Sequence, residues 1–481
     1  MKKILKQWMV LGTIASLSCP AQTLNTSTVY TPSIASVISE EKINLSPKEL
    51  IDIKLDEMTY DPVLKNASWS FVLYDPKSKK IISSYNETAP LIPASTTKLL
   101  TTDAVLNLLG SNFRWTTQME YSGEIDEEGM LNGNLYIVGS GDPSIGTGKA
   151  GSSRYPEIVN QFVMALHEKG IKKINGNIIA QTAFFKDNKM PFLPENIVWQ
   201  ETAQYYLPAG GTRDVNPANE RLIARKKTPF RENDARSYYY ISPYINKMVF
   251  AEKFEGMPMN TKIADAPLYL AGKIKEALPK NKIIFFGKVE AKINDPLPEM
   301  RTKITDYKSP TLAEIVYDTN QRSDNALSES LLRTLGFMTH GDYTLAAGKN
   351  AMNSHLKSID FDSTDFVYMD GSGLSRAHRV TSLAQAKFLA SRMNTKYYPT
   401  FFDSLPIAGQ TGTLKRSFKG PGYGQIYAKT GTLNRVKTLA GYVKTNSGKT
   451  LVFSLLLNNY SGSVDQAKNR MEKILEPVLD F

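Results

Sequence analysis

Pro93-Ala94-Ser95-Thr96-Thr97-Lys98-Leu99-Leu100 reads as a turn, a serine and the start of a helix. Pro93 closes off the preceding segment, and Ser95 occupies an N-cap or first-turn position. Leu99, Leu100, Ala104, Val105, Leu108 and Leu109 then recur at helical spacing. Lys98 follows Ser95 by one turn, which places both side chains on the same helix face. A serine becomes a nucleophile when a neighbouring base takes its proton, and a lysine kept neutral by burial is such a base. Free N–H groups at the helix start add a place for a developing oxyanion. The pattern alone decides little, because a plain N-cap serine reads the same way. Ser354-His355-Leu356-Lys357 repeats the spacing on what reads as a solvated helix face.

The 481 residues are enough for two or three domains with sizeable cores, and the formal charge is +11. Lysines are scattered rather than gathered into one stripe, so the basic balance does not indicate a nucleic-acid partner. It suits an anionic envelope surface or solubility alone. Residues 1–21 read as a secretion signal: Lys2, Lys3 and Lys6, a short apolar run from Trp8 to Leu17, and a cleavage site after Ala21. Cleavage removes three lysines and no acidic residue, lowering +11 to +8. No stretch is long and apolar enough for a transmembrane segment, so an exported, secreted or periplasmic protein is expected. Cys19 is the single cysteine. It is either discarded with the signal or lipidated as a first residue. Ser16 stands where a lipoprotein box has an apolar residue, which favours discard. On either reading there is no disulfide.

Residues 22–44 read as a lead-in rich in Ser, Thr and Pro. Ser46-Pro47-Lys48-Glu49 carries the signature of a helix start. Ser70–Tyr74 and Lys80–Tyr85 read as a β-hairpin around Asp75-Pro76-Lys77-Ser78. Beyond Phe113 short strands dominate, with Asn-Gly turns of the hairpin kind at Asn132-Gly133 and Asn175-Gly176. Helices are expected over Pro156–Glu168 and Leu268–Leu278, and strands at Leu135–Val138, Ile178–Ala180 and Ile283–Val289. Ser309-Pro310 opens a further helix, Ala326–Leu335 and Thr381–Met393 are two more, and Leu439–Val443 pairs with Leu451–Leu457. An amphipathic helix through Ala467, Met471, Ile474, Leu475 and Val478 ends the chain. The expected organisation is a signal peptide at 1–21, one domain built from 22–115 and 306–481, and an inserted region at 116–305, read as two subdomains. Gly146-Thr147-Gly148-Lys149-Ala150-Gly151 fits a dinucleotide pattern, but no helix opens within it and no βαβ unit surrounds it. No cofactor is expected.

Two further motifs join the first. Ser323-Asp324-Asn325 and Lys429-Thr430-Gly431 each occur once, and with Ser95-x-x-Lys98 they stand in the order found in serine acyl-transferases that react with penicillin. The chain resembles the class C low-molecular-mass penicillin-binding proteins, the D-alanyl-D-alanine carboxypeptidase/endopeptidase family, from about residue 45 to about 460. Gly139-Ser-Gly-Asp-Pro-Ser144, Asp370-Gly-Ser-Gly-Leu-Ser-Arg376, Ala428-Lys-Thr-Gly-Thr-Leu433 and Ala440-Gly-Tyr-Val443 are similar to segments of that family, as is the long insert between Ser95 and Ser323.

The resemblance implies an α+β, β-lactamase/transpeptidase-like domain, an antiparallel sheet with helices, carrying a long, mostly β insert with a nested subdomain. It implies catalysis on peptidoglycan peptide stems through an acyl-enzyme, with β-lactam antibiotics as covalent inhibitors. In that reading Ser95 attacks the carbonyl between two D-alanines and Lys98 takes its proton, which needs a depressed lysine pKa. Backbone N–H groups of Ser95 and Thr432 form the oxyanion hole. Ser323 passes a proton to the leaving amine, and Asn325 orients the substrate amide and Lys98. Lys429 supplies positive charge near the substrate carboxylate, which Thr430 and Thr432 bind, with Gly431 between them. The family also implies a pocket for the free end of a diaminopimelic acid side chain, here matched by Glu201, Tyr206, Arg376 and Asn434. Glu201 replaces the family's frequent Asp, and Asn434 stands where some relatives carry Gln. A surface salt bridge is the other reading of Glu201 and Arg376.

Two other functions use the same motifs: a class A β-lactamase and a non-enzymatic penicillin-binding module. The lactamase deacylates with a loop glutamate between the second and third motifs. From Leu331 to Ala428 there is no glutamate. A Ser-His-Asp hydrolase is disfavoured by four scattered histidines and the lack of a Gly-x-Ser-x-Gly elbow. No His/Cys/Asp cluster has zinc spacing, so no metal is expected.

Overall fold

The computed structural model describes residues 45–181, 266–292 and 299–481, with five short backbone strands between 199 and 260. The signal segment and Cys19 lie outside the described residues. Helix α1 (Pro47–Tyr60) begins as its sequence requires: Ser46 and Glu49 cap each other reciprocally, and Ile51, Leu55 and Met58 are buried. Strands β1 (Ser68–Asp75) and β2 (Lys80–Tyr85) form the expected hairpin. Asp75 closes its turn by accepting from the Lys77 N–H and the Ser78 hydroxyl. A tight turn at Ala94–Thr97 then leads into helix α2 (Lys98–Leu109).

Two of the four sheets in the next segment enclose its core. Strands β3 (Thr116–Tyr121), β4 (Glu124–Ile125), β5 (Met130–Asn132) and β6 (Leu135–Val138) are followed by helix α3 (Tyr155–Glu168), then β7 (Lys173–Asn175) and β8 (Ile178–Gln181). Strands β9 (Trp199–Glu201), β10 (Gln204–Leu207), β11 (Tyr238–Tyr240), β12 (Met248–Phe250) and β13 (Met257–Asn260) precede helix α4 (Ala266–Ala277), and β14 (Ile284–Phe285), β15 (Val289–Lys292) and β16 (Thr302–Lys308) complete the segment. One sheet has the order β14-β7-β5-β4 and the other β15-β8-β6-β3-β16. Ile158, Phe162, Leu166, Ile174, Ile178, Ala271 and Ile274 fill the core beneath α3 and α4.

Here the Asn-Gly turns behave differently from the hairpin expectation. Asn132-Gly133 carries the chain from β5 to β6, and Asn175-Gly176 from β7 to β8; each pair of strands lies in different sheets. The backbones cross so closely that a Cβ on Gly176 would stand 2.1 Å from the Gly133 carbonyl oxygen, and one on Gly287 1.9 Å from that of Gly176. Glycine is required at these crossings for space rather than for a turn type. The crossing at Gly287 also divides the single strand expected over Ile283–Val289 into β14 and β15. Asparagine side chains tie the layers: Asn177 N–H donates to Asn134 Oδ1 (2.8 Å) and Lys288 N–H to Asn177 Oδ1 (3.1 Å).

The remainder supplies helices α5 (Leu312–Arg322), α6 (Asn325–His340), α7 (Leu345–Ser358), α8 (Ser382–Arg392) and α9 (Tyr398–Asp403). Strands β17 (Ile426–Leu433), β18 (Val436–Lys444) and β19 (Thr450–Asn458) and helix α10 (Val464–Leu475) follow. Helix α5 starts at Thr311, which forms a capping box with Glu314, so Ser309-Pro310 lies outside it; Ser309 Oγ instead accepts from the Trp115 N–H (2.9 Å). The main sheet is antiparallel with the order β17-β18-β19-β1-β2, and Trp69 pairs with Leu457 and Leu73 with Phe453 across β1 and β19. The N-terminal hairpin therefore completes a sheet begun by the C-terminal strands. β19 is buried on both faces, which explains its unbroken apolar run. One face packs Leu99, Leu100, Val105, Leu331, Leu332 and Leu389 from α2, α6 and α8. The other packs Ile51, Leu55, Met471 and Ile474 from α1 and α10. Each such side chain removed from water contributes about 1.5–3 kcal/mol.

Candidate active site

Ser95 does not cap a helix. It lies inside the Ala94–Thr97 turn, which makes no side-chain cap hydrogen bond, and α2 begins three residues later at Lys98. Ala94, fully buried, adopts φ +47°, a left-handed conformation that is costly for a residue with a Cβ. Side chains from distant segments hold the turn in place. Thr96 and Thr438 both donate to the Pro93 carbonyl (2.8 and 2.7 Å), Gln385 Nε2 donates to Thr96 Oγ1 (3.1 Å), and Ser454 Oγ donates to Gln385 Oε1 (2.8 Å). Two glycines let other backbones approach it. A Cβ on Gly431 would stand 2.9 Å from Ser95 N, and one on Gly373 1.9 Å from the Ala94 carbonyl oxygen.

Lys98 is fully buried at the centre. Its Nζ lies 3.1 Å from Ser95 Oγ and donates to Asn325 Oδ1 (2.7 Å) and the Ser372 carbonyl (2.7 Å). Asn325 is placed by the start of α6, which Asp324 caps. Ser323 ends α5 in the left-handed region (φ +57°), and this bend carries the chain from α5 into α6. Lys429 Nζ donates to Ser323 Oγ (2.8 Å) and to the Thr430 carbonyl (2.7 Å). The first-motif lysine thus bonds to the second motif's Asn, and the third-motif lysine to its Ser. Burial pushes Lys429 well below the usual lysine range, and the charges of Lys98 and Lys437 push it further.

Strand β17 is an edge strand. Pro406–Ala408 covers its first half through Ala428 N–H to the Pro406 carbonyl (3.0 Å) and Ala408 N–H to the Ile426 carbonyl (2.9 Å). Thr430 and Thr432 stand on the second half. Thr430 Oγ1 donates to Thr413 Oγ1 (2.8 Å). Arg376 reaches the Asn434 carbonyl (3.1 Å), so these two expected pocket residues are brought together. Glu201 and Tyr206 belong to the backbone strands β9 and β10, and their side chains lie outside the described residues.

Several residues that build the site have no role in the sequence reading. Buried Glu329 accepts the Gly371 and Ser372 N–H groups (3.2 and 2.9 Å), and Asp370 accepts those of Gly373, Leu374 and Ser375. The Gly373 N–H belongs to the same peptide unit as the Ser372 carbonyl, so Asp370 fixes the group to which Lys98 donates. Burial alone would raise Asp370, but the hydrogen bond and charge of His378 and the backbone N–H groups hold it at about 2. Glu329 is raised to about 6 by burial and then by the Asp370 charge. The glycine-rich segment weighed as a dinucleotide loop packs on this domain instead. Its Lys149 pairs with Asp324 (3.3 Å), and ahead of it the Gly141 carbonyl accepts from the Tyr343 hydroxyl (3.0 Å). The sequence signal for Asp370 and Ser372 is the Asp370–Arg376 run, of which Arg376 alone is assigned a role above.

This fold and site define a serine acyl-transferase of the penicillin-binding type. Residues 51–212 and 247–477 match the model of the D-Ala-D-Ala carboxypeptidase 3 (S13) family, and the chain belongs to it. A D-alanyl-D-alanine carboxypeptidase from Actinomadura sp. (strain R39) is 27% identical over 85% of this chain and 81% of its own length. The D-alanyl-D-alanine carboxypeptidase DacB of Haemophilus influenzae is 23% identical over 90% of this chain and 94% of its own. The crystal structure of penicillin-binding protein 4 (dacB) from H. influenzae, complexed with a β-lactam, shares the fold with a TM-score of 0.66 at 22% identity, covering 89% of this chain and 100% of that one. The expected transpeptidase-like α+β fold is therefore present, and the protein is a serine-type D-alanyl-D-alanine carboxypeptidase.

Proposed function

We propose that the protein cleaves the D-Ala-D-Ala bond of peptidoglycan peptide stems, as carboxypeptidase and endopeptidase, and that β-lactams trap it at the acyl-enzyme. The observation that carries this reading is the setting of Lys98. A neutral amine has two N–H bonds and one lone pair. With the N–H bonds directed at Asn325 Oδ1 and the Ser372 carbonyl, the lone pair falls on the side of Ser95 Oγ.

Ser95 Oγ then bonds to the carbonyl carbon while its proton passes to Lys98. The oxyanion settles between the N–H groups of Ser95 and Thr432. The C–N bond breaks, and Lys98 returns the proton to the leaving amine by way of the Ser323 hydroxyl, which Lys429 orients. Water then hydrolyses the ester. Lys429, whose Nζ donates to Ser323 Oγ, supplies positive charge near the substrate carboxylate. Thr430 and Thr432 bind that carboxylate, and the open half of β17 offers backbone pairing to an extended peptide. Arg376 and Asn434, joined in the structure, support a pocket for a diaminopimelic acid side chain, with Glu201 and Tyr206 assigned to it from family resemblance. The basic, apolar-cored residues 1–21 support export, with the insert, 116–305, forming its own subdomains outside the cytoplasmic membrane.

Intact-mass spectrometry after benzylpenicillin treatment, followed by peptide mapping, tests the reading. A single stable adduct on Ser95 is expected. Folded protein without an adduct would favour a non-catalytic module. Rapid nitrocefin turnover without an adduct would favour a β-lactamase, against which both Glu329 oxygens are already engaged by backbone N–H groups.

A further inference from the structure

Lys437 plays no part in the mechanism above, yet it lies beside the substrate-binding strand. It stands on β18 directly opposite Thr432 of β17, so their side chains share one face of the sheet. Its Nζ donates to Thr432 Oγ1 at 2.7 Å. Lys437 is partly buried, whereas Thr432 is exposed at the open edge.

An ammonium has three donors and no acceptor. While Lys437 is charged, the Thr432 hydroxyl can only accept from it, so the hydroxyl's own proton must point elsewhere. The exposed side of Thr432 is where a substrate carboxylate would dock. A neutral lysine reverses this arrangement, because its lone pair can draw the Thr432 proton inward. We propose that Lys437 is a positioning residue that fixes the polarity of the Thr432 hydroxyl, making it a donor to the carboxylate of an incoming peptide or β-lactam. This inference rests on the carboxypeptidase reading of the site and assigns a specificity role outside the three motifs.

The electrostatic setting adds a pH signature. Burial and then the charge of Lys468 lower Lys437 to about 8, against the opposing pull of Asp465. Lys468 and Asp465 face it from α10, and Lys429 stands across on β17. Glu476 and Asp480 ride on the C-terminal turn that packs against β18, β19 and the Ala94–Thr97 turn bring no charged side chain, and α8, with Lys387 and Arg392, packs on the opposite face of β18 against Ala440 and Tyr442. Because the group is depressed, its charged form is present below about pH 8 and lost above it. Carboxylate binding should weaken across that boundary.

The test is the acylation of full-length protein by benzylpenicillin between pH 6 and 9.5, resolving the dissociation constant from the acylation rate constant. Wild type should lose binding roughly tenfold above pH 8 with little change in the rate constant. Lys437→Met should show that weakened binding already at pH 7 and no alkaline limb. Lys437→Arg should bind normally at pH 7 and stay flat to pH 9.5, since a guanidinium keeps its charge. On a Thr432→Val background, Lys437→Met should have no further effect. An alkaline limb that survives in Lys437→Met, or a Lys437→Met effect undiminished in Thr432→Val, would overturn the proposal while the Ser95 adduct still formed. No adduct in wild type at any pH would sink the carboxypeptidase reading itself and this proposal with it.

Discussion

Two segments of this chain have the same spacing of serine and lysine, and only one makes a site. Ser354 and Lys357 lie on the regular helix α7 and are exposed. Ser95 and Lys98 straddle a strained turn, and Lys98 has no exposed surface. Lys98 receives partners from the Ala94–Thr97 turn, from α6 and from the Asp370–Arg376 loop. Water can supply every hydrogen bond that Lys357 needs, so its direction is unconstrained. Burial removes that choice from Lys98, and its surroundings decide which way its proton and lone pair face. Spacing nominates a pair of residues; the enclosing layers make it reactive.

The largest contrast is expected from removing the two lysine heads. Lys98→Met keeps the buried stem and should lower the acylation rate by roughly 10³-fold, the scale of a lost general base. Lys357→Met should leave it within about twofold, in keeping with an exposed position. Stopped-flow acylation with a fluorescent penicillin measures both, and circular dichroism checks the fold. Acylation at near wild-type rate in Lys98→Met would remove that lysine from the role of base.

Enclosure can also be broken without touching a polar side chain. Gly431→Ala places a methyl 2.1 Å from Thr438 Oγ1 and 2.9 Å from Ser95 N. Either β17 or the nucleophile turn must shift, and displacements near 1 Å at a reacting centre cost about 10²-fold. The same acylation assay should show a loss of this size with the melting temperature lowered only modestly. An unchanged rate would mean that β17 does not register the turn.

How far the sequence discloses these features depends on their range. Ser95, Lys98, Ser323 and Asn325 are legible because their motifs are short and sit where a helix starts or ends, and Lys429 because Lys-Thr-Gly is a short motif that occurs once. The main helices and strands are legible from apolar period, although Leu108, on the apolar pattern of α2, is 45% exposed. The Asn-Gly turns mislead because hairpin turns and sheet-to-sheet crossings select glycine for different reasons, one conformational and one steric, that leave the same letters. Glu329, Gln385 and Lys437 are not legible. Each acts on a residue far away in the chain or across a strand pair, and a lone Glu, Gln or Lys carries no mark of its partner.

A smaller effect is expected from loosening the layer behind Lys98. In Glu329→Gln one side-chain oxygen must serve the Gly371 and Ser372 N–H groups that two oxygens serve now. A buried N–H left unpaired costs about 1–3 kcal/mol of stability, and the loosened loop should slow acylation roughly fivefold. The pH dependence separates charge from packing. Glu329 is raised to about 6 by burial and by Asp370, so between about pH 4.5 and 6 the folded protein holds a proton that the unfolded chain has released. Wild-type stability should therefore fall as pH rises through this window, by on the order of 1–2 kcal/mol. Asp370, held near 2, acts oppositely: its contribution is present above the usual carboxylate range and is lost toward pH 2. Urea unfolding from pH 4 to 7 should show the slope in wild type and its absence in Glu329→Gln. A slope that persists in the variant would assign it to another group.

The smallest effect closes the comparison from its other side. Ser354→Ala on α7 removes an exposed hydroxyl from a residue with no placed partner at the nucleophile turn. Alanine is the better helix former, so stability should change by no more than about 0.5 kcal/mol, and in the favourable direction. Acylation should be unchanged within about twofold, and penicillin should still label Ser95 alone. The informative version repeats the labelling in the Ser95→Ala background, where Ser354 is the serine that retains a lysine one turn away. If spacing were sufficient, Ser354 would then take up the drug slowly, and peptide mapping would find it. No label is expected, because Ser354 and Lys357 stand exposed on a regular helix, where neither is enclosed as Ser95 and Lys98 are.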